Sequence, residues 1–303
     1  MNKNSVNQVE EIFHKPVLVK ESLEILNPKS GGIFADFTTG FAGHSVKIME
    51  RIVPDGFLFG FELENFTFQK AEEILSRKFP HKNFKIINDS YSNVDKYIEN
   101  NSLDGGIFDL GISSYEIDFL DFSFNSNLPL DLRFDRKNGE PFFKKVEKVS
   151  LEELSKIINK FGEVSFRDSK NFANIIKNCI EKGLINGKDI LDEIKKNYQF
   201  LSEKRLKSLL SQVSQSLRIW INNELETLKI GLEKSFDALK SGGKIVVISF
   251  HSLEDRIVKN FIKSQKERWL LREFSEKPIV PSLSEISENK RSRSAKLRFF
   301  QKF

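Results

Sequence analysis

Apolar positions along the chain fall into two patterns. Short continuous runs at 33–37, 56–61, 84–87, 105–109 and 244–250 have the length and the branched or aromatic content of buried parallel strands. Other segments place residues of one face at helical spacing, beginning with Leu18, Ser22, Leu23 and Leu26, which Pro28 and Gly31-Gly32 bring to an end. The run at 33–37 breaks at Gly40 and Gly43 and resumes as a helical segment over 46–50. A strand, a glycine turn and a helix in that order open a doubly wound α/β domain, and the turn lies at the strand's carboxyl end, where such sheets bind ligands.

After Ser114 the alternation of strands and helices stops. Residues 115–149 are rich in Asp, Phe, Asn and Pro and have no clear period. Ser150 and Glu153 have the spacing of a capping box, with Leu151, Leu154, Ile157 and Ile158 following at helical intervals. Helical segments continue to about residue 200. A long helical stretch then spans 202–239, with a core-facing stripe from Leu206 to Leu232, and Ser241-Gly-Gly is expected to end it. The strand at 244–250 follows, then a helix opened by His251-Ser-Leu-Glu-Asp-Arg256, and 295–300 alternates weakly, as an edge strand does. The expected organisation is a loose tail at 1–12, a split α/β domain at 13–118 and 217–303, and an inserted helical domain at 119–216.

Composition narrows this picture only a little. The chain has 303 residues, 29 of them Phe, and uses Lys, Asn and Ile heavily, as an AT-rich coding sequence would, so many surface Lys and Asn carry no functional message. The net charge of +5 permits nucleic-acid binding without demonstrating it. A single cysteine, Cys179, excludes an internal disulfide and fits a reducing compartment; it reads as a small buried hydrophobe rather than a nucleophile. No Cys/His cluster has zinc spacing, so no metal is expected. A polar start without a signal-peptide core, and no apolar run of membrane-spanning length, point to a cytoplasmic protein.

Chemistry-bearing residues sit where the strands end. The glycines at 40 and 43 do not make the Gly-x-Gly-x-x-Gly grip for a pyrophosphate. The turn therefore fits a cofactor without phosphate, such as S-adenosylmethionine, as well as a plain βα connection. Glu62 follows the second strand, where an acid commonly accepts hydrogen bonds from ribose hydroxyls, while Glu64 better suits the head of the next helix. Tyr91 is the one aromatic in a polar loop and is placed either against an adenine or as a packed loop residue. Asp109 falls where an apolar strand meets Gly111, and a carboxylate there needs partners. Lys290, Arg291, Arg293, Lys296, Arg298 and Lys302 form a basic strip that is either a solvated charge run or a phosphate contact.

Several stretches in fixed order make the likeness to a known family specific: His14-Lys-Pro-Val-Leu, Gly43-His-Ser45, Asp109-Leu-Gly-Ile-Ser-Ser114, Phe122-Ser-Phe124, Pro129-Leu-Asp-Leu-Arg133, Gly162-Glu163, Val247 through Arg256 and Arg291 through Arg298. Together they resemble the bacterial small-subunit (16S) ribosomal RNA cytosine-N4 methyltransferase family, of the MraW or RsmH type. The resemblance implies a class I S-adenosylmethionine-dependent methyltransferase fold, Rossmann-like, with an inserted helical domain that recognises RNA. Its substrate would be a cytidine in the decoding region of 16S rRNA within the small ribosomal subunit. Carried over by motif position, Ala42, Gly43, His44, Glu62, Tyr91, Asp109 and Glu116 would hold the cofactor. Asp109, Ser113 and His251 would carry the chemistry, with His14 a second candidate proton relay. His14, Arg133, Arg218, Arg256, Arg291, Arg293 and Lys296 would hold the substrate.

The sequence also departs from the family pattern. Phe41 and Ala42 stand where glycines are usual, Glu62 for Asp, Tyr91 for Phe, Tyr115 for Pro, Glu116 for Gln and Lys290 for Pro. Ser208-Leu-Leu-Ser-Gln212 replaces a His-Pro-x-Thr-Arg motif, removing a substrate-side arginine. These departures leave open a non-catalytic ribosome-assembly RNA-binding protein that retains the fold. A methyltransferase for DNA amines or small molecules is the third reading, which the rRNA-family motifs argue against. The oligomeric state stays open, and the C-terminal segment offers a surface through which two copies could pair.

Overall fold

The structure is a computed structural model that describes residues 16–81, 83–111 and 124–303. The chain divides into two compact units, one from Met1–Ser113 and Leu225–Phe303, the other from Ser114–Glu224.

The first unit is built on a seven-stranded sheet in the order β3-β2-β1-β4-β5-β7-β6. The strands are β1 (Ile33–Asp36), β2 (Phe57–Phe61), β3 (Phe84–Ile87), β4 (Leu103–Asp109), β5 (Leu239–Ser249), β6 (Leu271–Phe274) and β7 (Lys296–Lys302). The first five run parallel, with Phe34 opposite Leu58 on one side and Gly105 on the other, and Asp109 opposite Ile248. Strand β7 lies antiparallel between β5 and β6. Helices α1 (Val19–Leu26), α2 (Gly43–Ile52) and α3 (Asn65–Lys78) precede the insertion.

Two cores flank the sheet because successive residues of a strand face opposite sides. On β5, Val246 and Ile248 join Phe34, Met49 and Leu58 on one face, while Ile245 and Val247 join Phe37, Phe61, Phe108 and Phe300 on the other. The Phe37 and Phe108 rings stack at 4.3 Å between centroids, locking the ends of β1 and β4 together. This strand order, with its antiparallel seventh strand, is the Rossmann-like class I methyltransferase sheet.

The weakly alternating segment near the C-terminus is thus an interior strand, and β6, which has no strong sequence pattern, is the edge. Arg298 hid the difference. It breaks the alternation between Leu297 and Phe300, yet it is buried, because its guanidinium lies on Asp255 with Nε 2.7 Å from Oδ1.

The second unit contains α4 (Phe142–Lys148), α5 (Leu151–Gly162), α6 (Phe166–Glu181), α7 (Gly187–Asn197) and α8 (Glu203–Asn222). The capping box of α5 is present: Ser150 Oγ accepts from the Glu153 amide at 3.1 Å and Glu153 Oε2 accepts from the Ser150 amide at 2.8 Å. Its core gathers Phe142, Leu154, Ile158, Phe172, Ile176, Ile190 and Val213. Cys179 belongs to it, and burial pushes its thiol up, away from nucleophilic use.

The long helical stretch is two helices. Asn223, in the left-handed conformation at φ 51°, ends α8, and α9 (Glu224–Ala238) begins beside it. Periodicity could not reveal this break because the apolar stripe continues in phase across it. The second helix also stops at Ala238, earlier than Ser241-Gly-Gly, and β5 runs through that segment, with a register irregularity opposite Leu103 and Gly105. No helix among the described residues is long and apolar enough to cross a membrane.

Candidate active site

The carboxyl ends of β1, β2 and β4 carry a connected set of polar groups. Asp36 ends β1 with its carboxylate almost wholly buried. Its Oδ2 accepts from Ser45 Oγ at 2.6 Å and its Oδ1 from the Thr38 amide at 3.2 Å. Burial pushes the Asp36 carboxyl above its ordinary value, although these donors and the neighbouring His44 pull the other way. Sequence reasoning passed over Asp36; the available signal was an acid inside the apolar run Phe34-Ala-Asp-Phe37.

The turn that follows brings the next β-strands to the same place. The Asp109 amide donates to Thr38 Oγ1 at 2.6 Å, which ties β4 to the turn. Glu62 bridges the turn to β2: its Oε2 accepts from the Gly40 amide at 3.0 Å and its Oε1 from the Glu64 amide at 2.8 Å. Asn88 fixes that loop from β3 by donating to the Glu62 carbonyl at 2.9 Å. Glu64 is the N-cap of α3, accepting from the Thr67 amide at 2.7 Å.

Ala42 occupies the left-handed region at φ 62° and starts α2. The turn keeps a glycine's backbone there without a glycine, at a cost of roughly 1 kcal/mol. The real glycine at position 43 is needed for room: a Cβ there would meet the Pro16 ring at 3.0 Å.

His44, the second residue of α2, points inward, its Nε2 3.3 Å from Asp109 Oδ2. That is ion-pair distance, off the line of a hydrogen bond. Burial alone would lower the imidazole's pKa, but Asp109, Asp36 and the Val17 backbone outweigh it and hold His44 above its ordinary value. The other carboxylate oxygen, Asp109 Oδ1, is buried with no hydrogen-bond partner among the described residues. An orphaned buried acceptor is costly and marks a place where a ligand is expected.

Tyr91 opens a 3₁₀ turn (Tyr91–Lys96) and is half-buried. Its ring meets Phe108 edge-on at 5.3 Å and lies over Gly231, where a Cβ would come within 2.5 Å of it. His251 is the N-cap of α10 (Ser252–Glu267) in a capping box with Glu254. Its Nδ1 accepts from the Glu254 amide at 3.4 Å and its Nε2 is 3.1 Å from Glu254 Oε1.

The expected substrate cations are placed unevenly. Arg133 forks onto Asp131 at 2.9 and 2.7 Å and donates to the Gly139 carbonyl at 2.8 Å, pinning its own loop. Arg218 is buried on Glu224 at 2.7 and 2.9 Å. Arg256, Arg291 and Arg293 are exposed, the latter two on a 3₁₀ turn (Lys290–Ser294), and Lys296 is half-exposed, 3.9 Å from Asp255. Arg298 and Lys302 leave the strip: the first holds Asp255, the second donates to the Phe236 and Leu239 carbonyls behind α9. His14, Ser113 and Glu116 lie outside the described residues.

Known proteins resemble the chain over nearly its whole length. The MraW methylase family is matched over residues 11–303. The chain is 37% identical over 310 residues to the "Ribosomal RNA small subunit methyltransferase H" of Caldicellulosiruptor saccharolyticus, covering 95% of this chain and 99% of that protein. The protein of the same name from Persephonella marina is 37% identical over 293 residues, covering 95% and 98%. A crystal structure of a putative methyltransferase from Streptococcus mutans in complex with SAH is a distant likeness, 13% identical with a TM-score of 0.48, covering 96% of this chain and 100% of that one.

The donor set suits S-adenosylmethionine, with a turn that grips no phosphate and an unpartnered carboxylate oxygen beside it. S-adenosylmethionine is the cofactor. The chain belongs to the MraW methylase family.

Proposed function

We propose that this protein methylates the N4 amine of one cytidine in the decoding region of 16S rRNA, within the small ribosomal subunit and hence in the cytoplasm. The observation that carries the reading is the buried Oδ1 of Asp109 at the end of β4, without a partner among the described residues. When bound, S-adenosylmethionine supplies an already activated methyl group.

The difficulty then lies with the acceptor, because the lone pair of the cytosine amine is delocalised into its ring. Asp109 Oδ1 accepts an N–H of that amine and favours a tetrahedral nitrogen facing the methyl, with the Ser113 loop as a further acceptor. His44 holds the other oxygen in place, and the Asp109 amide on Thr38 fixes the backbone beneath it. Positioning and electrostatics are the main contributions. The amine's proton passes to Asp109 and leaves through His251, which the capping box with Glu254 holds at the start of α10.

Glu62 takes the ribose hydroxyls, its carboxylate already aimed by the Gly40 and Glu64 amides. Tyr91 flanks the adenine, with Ala42, Gly43 and Glu116 completing the cofactor site. The base must leave its stack to be reached. Arg256, Arg291, Arg293 and Lys296, with His14, hold the surrounding backbone. Arg133 and Arg218 take phosphate only by exchanging Asp131 and Glu224 for it.

The test is methyl transfer from labelled S-adenosylmethionine to small subunits lacking the modification, followed by nuclease digestion and mass spectrometry. N4-methylcytidine at one decoding-region position is the expected product. Cofactor binding without transfer would point to a changed substrate, and neither transfer nor cofactor binding would support the assembly-protein reading instead.

A further inference from the structure

The helical unit carries two exposed phenylalanines near each other, and one of them is rigidly mounted. Phe172 is buried in the core, Tyr198 stacks on it at 4.9 Å, and Phe200 stacks on Tyr198 at 5.8 Å. This ladder runs from the core to the surface, where Phe200 is 77% exposed. The Tyr198 hydroxyl lies 3.4 Å from Asp168 Oδ1, which brings the start of α6 to the same end of the unit. Two residues earlier, Phe166 is 71% exposed, just after the Ser165 cap.

A single exposed aromatic is ordinary on any protein. Here one ring is held by stacking, so a ligand does not have to order it. The surroundings are basic. Arg167, Lys170, Lys204, Arg205 and Lys207 are exposed and hold no ion pair among the described residues. Of the nearby acids, Asp168 already accepts from Ser165 Oγ at 2.8 Å. Exposed aromatic faces among unpaired cations match unstacked bases on a phosphate backbone.

We propose that Phe200 and Phe166, with Arg167, Lys170, Arg205 and Lys207, form a stacking platform for single-stranded RNA on the helical unit. The platform grips bases by their faces and backbone by charge, so it is tolerant of sequence. It extends the rRNA reading above, and rests on it, by giving the RNA a hold on the helical unit.

The experiment compares the full-length protein with F200A, F166A, the double variant and F200W, using a fluorescein-labelled single-stranded RNA of mixed sequence. The expected result is a loss of affinity of roughly 5- to 100-fold in the double variant, near-wild-type binding by F200W, and quenching of its indole fluorescence on RNA addition. Arg205→Gln with Lys207→Gln should flatten the salt dependence of binding while leaving cofactor affinity unchanged.

Unchanged RNA affinity in the folded double variant overturns the platform. So does a loss confined to binding of a small-subunit protein, which would make the surface a protein contact. Methyl transfer by the wild-type enzyme is measured in parallel. Its presence alongside unchanged RNA affinity refutes the platform alone, and its absence despite bound cofactor refutes the rRNA reading.

Discussion

Asp36 and Asp109 end neighbouring strands of the sheet, and both are buried or nearly so. Asp36 is satisfied from within: a serine hydroxyl and a backbone amide take its two oxygens. Among the described residues, Asp109 is held on one side by His44 and left open on the other. The difference separates a carboxylate that builds the turn from one poised to act on something else. Burial alone does not distinguish them; the free acceptor does.

The largest effect expected from this contrast is on catalysis. Asp109→Ala should lower methyl transfer by about 10² to 10⁴-fold with the unfolding midpoint nearly unchanged. A variant that stays active would remove the distinction. Asp36→Ala should do the reverse first, costing about 2 to 3 kcal/mol in urea unfolding because Ser45 and the Thr38 amide lose their acceptor.

The pH dependence of stability should follow from the same pair of strand ends. The buried Asp36 carboxyl and the His44 imidazole are both raised, so the folded state binds more protons than the unfolded chain across their shifted ranges. Stability then falls as pH rises. His44's contribution is full below its ordinary value near 6.5 and is lost as pH climbs through its raised value. His44→Asn should abolish the upper part of the decline in a melting-temperature profile, and Asp36→Asn the lower part. The smallest effect concerns the turn joining the two sites. Ala42→Gly relieves the left-handed strain but loses a buried methyl and gains chain entropy, so stability should move by less than about 1 kcal/mol in calorimetry.

Much of the sheet could be read directly, because fully buried parallel strands are continuous apolar runs. The motif at Asp109 was legible for the same reason: a single acid ends such a run. Asp36 was harder, since Phe37 continues the apolar pattern beyond it. The ion pairs of Arg298 and Arg218 were not legible, because nothing in a local window shows Asp255 closing on one or Glu224 on the other. The short edge strand β6 has two of its four residues exposed, which gives no period to detect. The break at Asn223 leaves the helical stripe in phase and depends on one backbone conformation.

The position of β7 has a consequence for how the protein is made. This strand sits in the interior of the sheet, yet it is synthesised after every element that it separates or joins. A nascent chain that has reached residue 295 already carries its helical unit and both strand-end carboxylates. It still has β5 with an unpaired edge, and Asp255 without its arginine. Completion of the sheet therefore waits for long-range pairing, a slow kind of contact to form. A product that stops short presents a bare apolar strand with an open edge, the kind of surface that makes an unfinished protein prone to aggregate.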